Sequence, residues 1–424
     1  MRPVSSTGAI HLKEYVLRCK VVIALMLFFL AAGGVPGAAQ EATPATTAAG
    51  PQLTAIVVGA IGAPAEVLGS DGLVHVEADL LVTNAFSAPV TLTAVTALAP
   101  DGAPLLQLDG DALATVTQPL LGGTPLAEIP ASGTVVVMLD VAVPPGQVPA
   151  HLTTRVAYAL PPEAPGASLI ASWEVTGPTL AVDRRPPLVI APPLRGPGWL
   201  NANSCCDAYS IHRAVRNAVD GAHYVTPETF AIDWVQLRDD RAFSGDGSRV
   251  EQWFGYGAEI IAAAPGTVVF VHDGVPDQPP LSLPPSLAAP VDAGGNQVII
   301  QIAPDVWAFY AHLQPGSVAV EVGDVVTVGQ PLGRLGNSGN SLGPHLHFGL
   351  LDAPGTMTAN SVPFVLDTYT LEGAVSPDAM FAVMTGASGA LPVIGVANPQ
   401  AGTLPLNLTV TDFPVGGGTP APSQ

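Results

Sequence analysis

The sequence predicts a mostly β protein in which an immunoglobulin-like β-sandwich precedes a second domain. Three observations predict this. Only 11% of the residues are charged, while glycine and proline number 45 and 44; such a composition suits strands joined by turns rather than long surface helices. Short β-like runs recur between turn signals, at Leu73 to Thr83, Val90 to Leu98, Thr134 to Val143, Thr153 to Ala159 and Ser168 to Val175. Within Val74 to Leu80, apolar and polar residues alternate with period two, which assigns one face to a core and one to water. The length of 424 residues allows two or three domains with cores of their own.

The chain divides in order as follows. Residues 1–40 have the layout of a secretory signal: Lys13, Arg18 and Lys20 precede the apolar run Val21 to Ala32, and Gly37, Ala38 and Ala39 offer a cleavage site. An apolar run of about 12 residues falls short of the roughly 20 that span a bilayer, so no stable membrane span is expected after processing. Cys19 lies ahead of the apolar run and is misplaced for lipid modification at a cleavage site. Residues 41–51 read as a polar linker and 52–182 as the sandwich, where His75 and His151 stand alone and read as structural or surface residues. Residues 183–200, from Arg184 to Pro197, read as a Pro-rich linker, because proline removes amide donors and fixes φ. A second domain over 201–375 and an extension over 376–424 with a disordered tail complete the chain.

Loss of the signal removes four cations and Glu14, taking the formal charge from −20 to −23 and leaving no lysine. Such a surface lacks the basic footprint that phosphate backbones and anionic lipids need, which excludes nucleic acid as an expected partner. Cys205 and Cys206 then remain, adjacent in sequence, so a loop-closing disulfide within one chain is out of reach. A vicinal disulfide, two buried thiols and metal-binding thiolates stay open.

Chemistry concentrates late in the chain. In Gly343-Pro344-His345-Leu346-His347-Phe348, residues two apart on a strand share a face, so His345 and His347 would enter one cleft while Leu346 and Phe348 enter a core. Two imidazoles side by side suit a metal ligand and an acid/base partner. Upstream lie Tyr310-Ala311-His312-Leu313 and the glycine-rich turn Gly336 to Ser341. That turn has no lysine and no strand-to-helix context, so it is not a phosphate loop. No Gly-X-Ser-X-Gly element frames a serine nucleophile, and nothing distinctive supports a cysteine enzyme. His272 reads as a turn residue, and the proline-rich loop Asp277 to Asp292 as an insertion beside the groove.

With Gly257-Ala258-Glu259-Ile260 and Pro265 to Val269, this series resembles the lysostaphin/LytM-type zinc metalloendopeptidases, the duplicated hybrid motif fold, over about Phe230 to Asp352. The resemblance implies an antiparallel β-sheet peptidase domain with a groove for an extended peptide. It implies Asp233 and His347 as ligands of Zn2+, and His312 and His345 as catalytic groups beside the bound water. Three protein ligands and one open position are the pattern of a catalytic zinc.

The family places a histidine four residues before the aspartate, and Thr229 stands there. Threonine is a poor neutral zinc ligand. His212, which has a counterpart in a divergent branch lacking the usual first histidine, is the preferred third ligand; His223 and the cysteine pair are the alternatives. The expected function is a secreted zinc metalloendopeptidase acting on peptidoglycan cross-links or other extended peptides. The competing reading is a degenerate domain that binds cell wall or regulates a partner hydrolase.

Overall fold

A computed structural model describes residues 51–415, apart from 127, 283–285 and 288. The expected signal peptide, most of the first linker and the tail from 416 onward lie outside the described residues.

The sequence's β character is carried through. In the amino-terminal part, the first sheet holds β1 (Ile56–Leu68), β2 (Val74–Asn84), β5 (Thr117–Pro119) and β6 (Thr134–Val143) in the order β1-β2-β6-β5. The second is built on β3 (Val90–Leu98), β4 (Pro104–Asp109), β7 (His151–Ala159) and β8 (Leu180–Ala181), in the order β8-β7-β3-β4. Val76, Leu80, Val82, Leu92, Val137 and Val156, drawn from both sheets, share one buried core, as period-two burial requires.

One face of β2 departs from expectation. His75, Glu77 and Asp79 were assigned to water, yet they are only 6%, 4% and 5% exposed. Arg213 reaches Glu77 and Asp79, Arg216 reaches Asp79, and His75 pairs with Asp71 and Asp140; the arginines' positive charge is what lets the two carboxylates leave water.

The stretch read as a Pro-rich linker is also corrected: it carries β9 (Leu188–Ile190) and most of β10 (Gly196–Ala202). Proline is tolerated because Pro187 and Pro192 flank β9, and Pro197 falls where the β10 register is irregular.

The second large sheet has eleven strands. It comprises β10, β11 (Ile232–Gln236), β12 (Gly266–His272), β13 (Asn296–Ala303), β14 (Val306–Leu313), β15 (Val325–Val326), β16 (Leu346–Leu351), β17 (Ser361–Val362), β19 (Tyr369–Ala374), β20 (Asn398–Gln400) and β21 (Thr409–Phe413), in the order β15-β12-β13-β14-β16-β11-β10-β21-β19-β20 with β17 off that path; β18 (Phe364–Leu366) lies outside this sheet. β17 pairs with β16, and β18 pairs in parallel with β9. Every pairing within the large sheet is antiparallel. Phe348, Trp234, Tyr310 and Phe364 stack in its main core. The segment read as a carboxy-terminal extension therefore returns a strand to the middle of this sheet, between β10 and β19. Among the described residues no helix is long and apolar enough to cross a membrane.

Candidate metal centre

The cluster is built on neighbouring strands. Asp233 on β11 and His347 on β16 are directly opposite in the antiparallel register, and Ala311 on β14 flanks His347 from the other side. Cross-strand partners of this kind place their side chains on one face. Leu346, Phe348 and Leu350 take the other face, in the main core.

The Asp233 carboxylate is the hub. His347 Nδ1 donates to Oδ1 at 2.9 Å, His345 Nε2 lies 3.3 Å from the same oxygen, and His212 Nε2 lies 3.2 Å from Oδ2. Asn203 Nδ2 donates to Oδ2 at 2.9 Å. Burial alone would raise the Asp233 pKa, but His212 and His345 hold it well below the usual carboxylate range.

His212 comes from the 3-10 turn Ile211–Ala214, which packs it under the sheet with 3% exposure. Its Nδ1 donates to the Ala231 carbonyl at 3.1 Å, which fixes the tautomer and points Nε2 at Asp233. Burial opposes its charged form, yet Asp233 and then Glu228 raise the pKa to about 9.

His312, next to last in β14, has φ of +65°, a left-handed conformation unusual for a side chain of this kind. Its Nδ1 donates to the Ser338 carbonyl at 2.7 Å, and the Gly336 amide donates to the His312 carbonyl at 3.0 Å. Its ring lies 4.6 Å from that of His345 and 5.9 Å from that of His347. Burial, then the neighbouring His345 and His347, push its pKa well below the ordinary imidazole value. The pKa of His345 moves the other way: burial works against the charge, but Asp233 outweighs it. His345 Nδ1 faces the Gly343 carbonyl at 2.8 Å.

All five sequence-derived candidates, His212, Asp233, His312, His345 and His347, are thus brought together. One ligand atom each from His212, Asp233 and His347 lies within 4.8 Å of the others. Two imidazole nitrogens and one carboxylate oxygen, all buried, are a donor set that fits zinc.

The alternatives fall elsewhere. His223 sits exposed in the hairpin pairing residues 217–219 with 223–225. Cys205 and Cys206 are bonded to each other and buried, so neither offers a thiolate here. Thr229 lines a cavity with Ile61, Glu77 and Arg213. His272 faces Asp292 at 3.3 Å. The proline-rich loop touches the site indirectly, because Asp277 accepts from the Asn337 amide at 2.7 Å, in the same turn that holds His312.

Sequence reasoning missed Asn203, Glu228 and the Ser338 carbonyl. Backbone acceptors carry no side-chain signature, and Asn203 belongs to no motif. The acidic residue beside Thr229 was the one available hint.

Residues 252–357 match the sequence profile of Peptidase family M23. No curated protein matches the chain. Among solved structures, the catalytic domain of the prophage-encoded M23 protein EnpA from Enterococcus faecalis is 25% identical, covering 31% of this chain and 73% of that one, with a TM-score of 0.21. The catalytic domain of the antimicrobial peptidase lysostaphin from Staphylococcus simulans is 20% identical over 39% of this chain and 86% of its own, at 0.21. A putative peptidase M23 from Pseudomonas aeruginosa is 14% identical over 71% and 96%, at 0.24. With TM-scores this low, the likeness rests on the profile alone: the segment that carries His312, His345 and His347 is similar to Peptidase family M23.

Proposed function

We propose that the protein is an exported zinc metalloendopeptidase that hydrolyses peptide bonds in peptidoglycan cross-links. The observation that carries the reading is the convergence of His212, Asp233 and His347 on one point, which completes a ligand set that Thr229 leaves short.

When bound, zinc supplies a Lewis acid that makes water nucleophilic near neutral pH. The chain's own residues do the rest. His212 presents Nε2 because Nδ1 is committed to Ala231. His312, held neutral by burial and with Nδ1 committed to Ser338, turns a free Nε2 lone pair toward the cluster as general base. His345, whose pKa Asp233 raises against the effect of burial, donates toward the oxygen on which charge develops and then toward the leaving amine. An extended peptide with small side chains suits a groove along a sheet. The signal-like segment supports export to the cell envelope.

We also propose that the amino-terminal sandwich is immunoglobulin-like. The order β1-β2-β6-β5 against β8-β7-β3-β4 supports that reading.

The test is zinc per chain after exhaustive dialysis, beside hydrolysis of a cross-linked peptide. About one zinc is expected for the parent and far less for His212→Ala and His347→Ala. His312→Ala should keep its zinc while hydrolysis falls by about 10²–10⁴-fold. No zinc in the parent would leave the non-catalytic binder as the reading.

A further inference from the structure

We propose that the amino-terminal sandwich is a working part of the metal centre: Glu77 and Asp79 of β2 act through Arg213 and Arg216 as positioning residues for His212. The inference rests on the reading of His212 as a metal ligand.

His212 has a weak local support. The turn that carries it, Ile211–Ala214, has four residues and no side-chain cap, and short 3-10 segments are poorly stabilised by their own hydrogen bonds. A ligand must nonetheless be held to within a fraction of an ångström to bind metal tightly. The rigidity has to come from what the turn is fastened to.

Two arginines fasten the turn to the sandwich. Arg213, the next residue, is 3% exposed and places its guanidinium 2.6 Å from Glu77 and 3.3 Å from Asp79. Its approach to Glu77 is close but off the line of a hydrogen bond. Arg216 supplies the aligned bonds: Nε donates to Asp79 at 3.2 Å, while its two terminal nitrogens donate to the Arg213 carbonyl at 2.9 Å and the Ala214 carbonyl at 3.2 Å. One guanidinium therefore ties the backbone of the turn to a strand of the sandwich. On the opposite side, His212 itself is tied to Ala231, two residues before Asp233.

A buried ion cluster is a costly way to hold two domains together, since well-packed apolar side chains serve as well or better. What charges add is direction: a planar fork fixes the turn in one orientation. The same cavity that receives Arg213 and the β2 carboxylates also receives Thr229. Where the family's usual first ligand would stand, this chain faces its own sandwich, and the replacement ligand comes from the turn that the sandwich anchors.

The test measures zinc dissociation constants by competition with a chromogenic chelator, on the full chain, with folding followed by circular dichroism. The double variant Glu77→Gln/Asp79→Asn is expected to bind zinc about 10–100-fold more weakly than the parent, the range typical for groups that orient a ligand. Arg216→Lys keeps the charge but loses the fork, should fold even if the double variant does not, and is expected to lose several-fold. Leu80→Ala, in the same strand but pointing into the sandwich core, should lower thermal stability and leave the affinity of the folded protein unmoved. Parent-like affinity in both charge-cluster variants overturns the inference, as does a loss for Leu80→Ala equal to theirs. A parent without zinc overturns the metal reading and this inference together.

Discussion

Along β14, Ala308 and Tyr310 enter the main core and Phe309 and Ala311 the opposite face. Strict alternation would send residue 312 after Tyr310, away from His347. The left-handed φ at His312 breaks that parity and brings its ring beside His345 and His347. Strain of this kind persists only where surrounding bonds hold it, and here the Ser338 carbonyl and the Gly336 amide do so. His75 makes a different, titratable contribution. Burial opposes its charge, but Asp140 at 2.8 Å and Asp71 raise its pKa above the ordinary value. A histidine pKa raised by folding stabilises most below its unfolded value, about 6.5, and that contribution is lost as pH rises through the folded value. The unfolding midpoint of the parent should therefore fall relative to that of His75→Gln as pH is raised from about 6. Parallel pH profiles for the two proteins would show that the contact contributes nothing.

At the scale of elements, the turn Gly336 to Ser341 ties His312 to the proline-rich loop, through Ser338 and Asn337. Gly339 has φ of +77°, and an added Cβ would collide with the Gly295 backbone. Gly339→Ala should cost more than about 1 kcal/mol of stability in chemical denaturation. It should also lower hydrolysis without loss of zinc, because Ser338 loses its aim on His312. How much of this was legible follows from where each signal lies. His345 and His347 could be read because a strand repeats every two residues, so the spacing itself specifies a shared face. Strand β2 was legible for the same reason, and β3, β6 and β7 because turn signals bracket their β-like runs. His212 was reachable only through the family resemblance, since a four-residue turn has no periodicity. The burial of Glu77 and Asp79 was illegible: their alternation with Val76, Ala78 and Leu80 looks the same whether the polar face meets water or arginine. Pairing across more than a hundred residues leaves no local trace.

In the whole molecule, the large sheet closes with β21. Thr411 Oγ1 donates to the Trp199 carbonyl at 3.1 Å, and Phe413 packs edge-on against Trp234, next in sequence to Asp233. Phe413→Ala should lower stability by about 3–5 kcal/mol, read from the denaturant midpoint, if that strand is integral to the core; a change under about 1 kcal/mol would mark it as peripheral. The position of β21 also imposes a schedule on synthesis. The sandwich strands pair mostly with partners close in the chain, so they can condense while translation continues. β10, by contrast, waits for a neighbour more than two hundred residues downstream. Until that last strand is delivered, β10 lacks one of its two neighbours, and β11, which sets Asp233, pairs with an unfinished sheet.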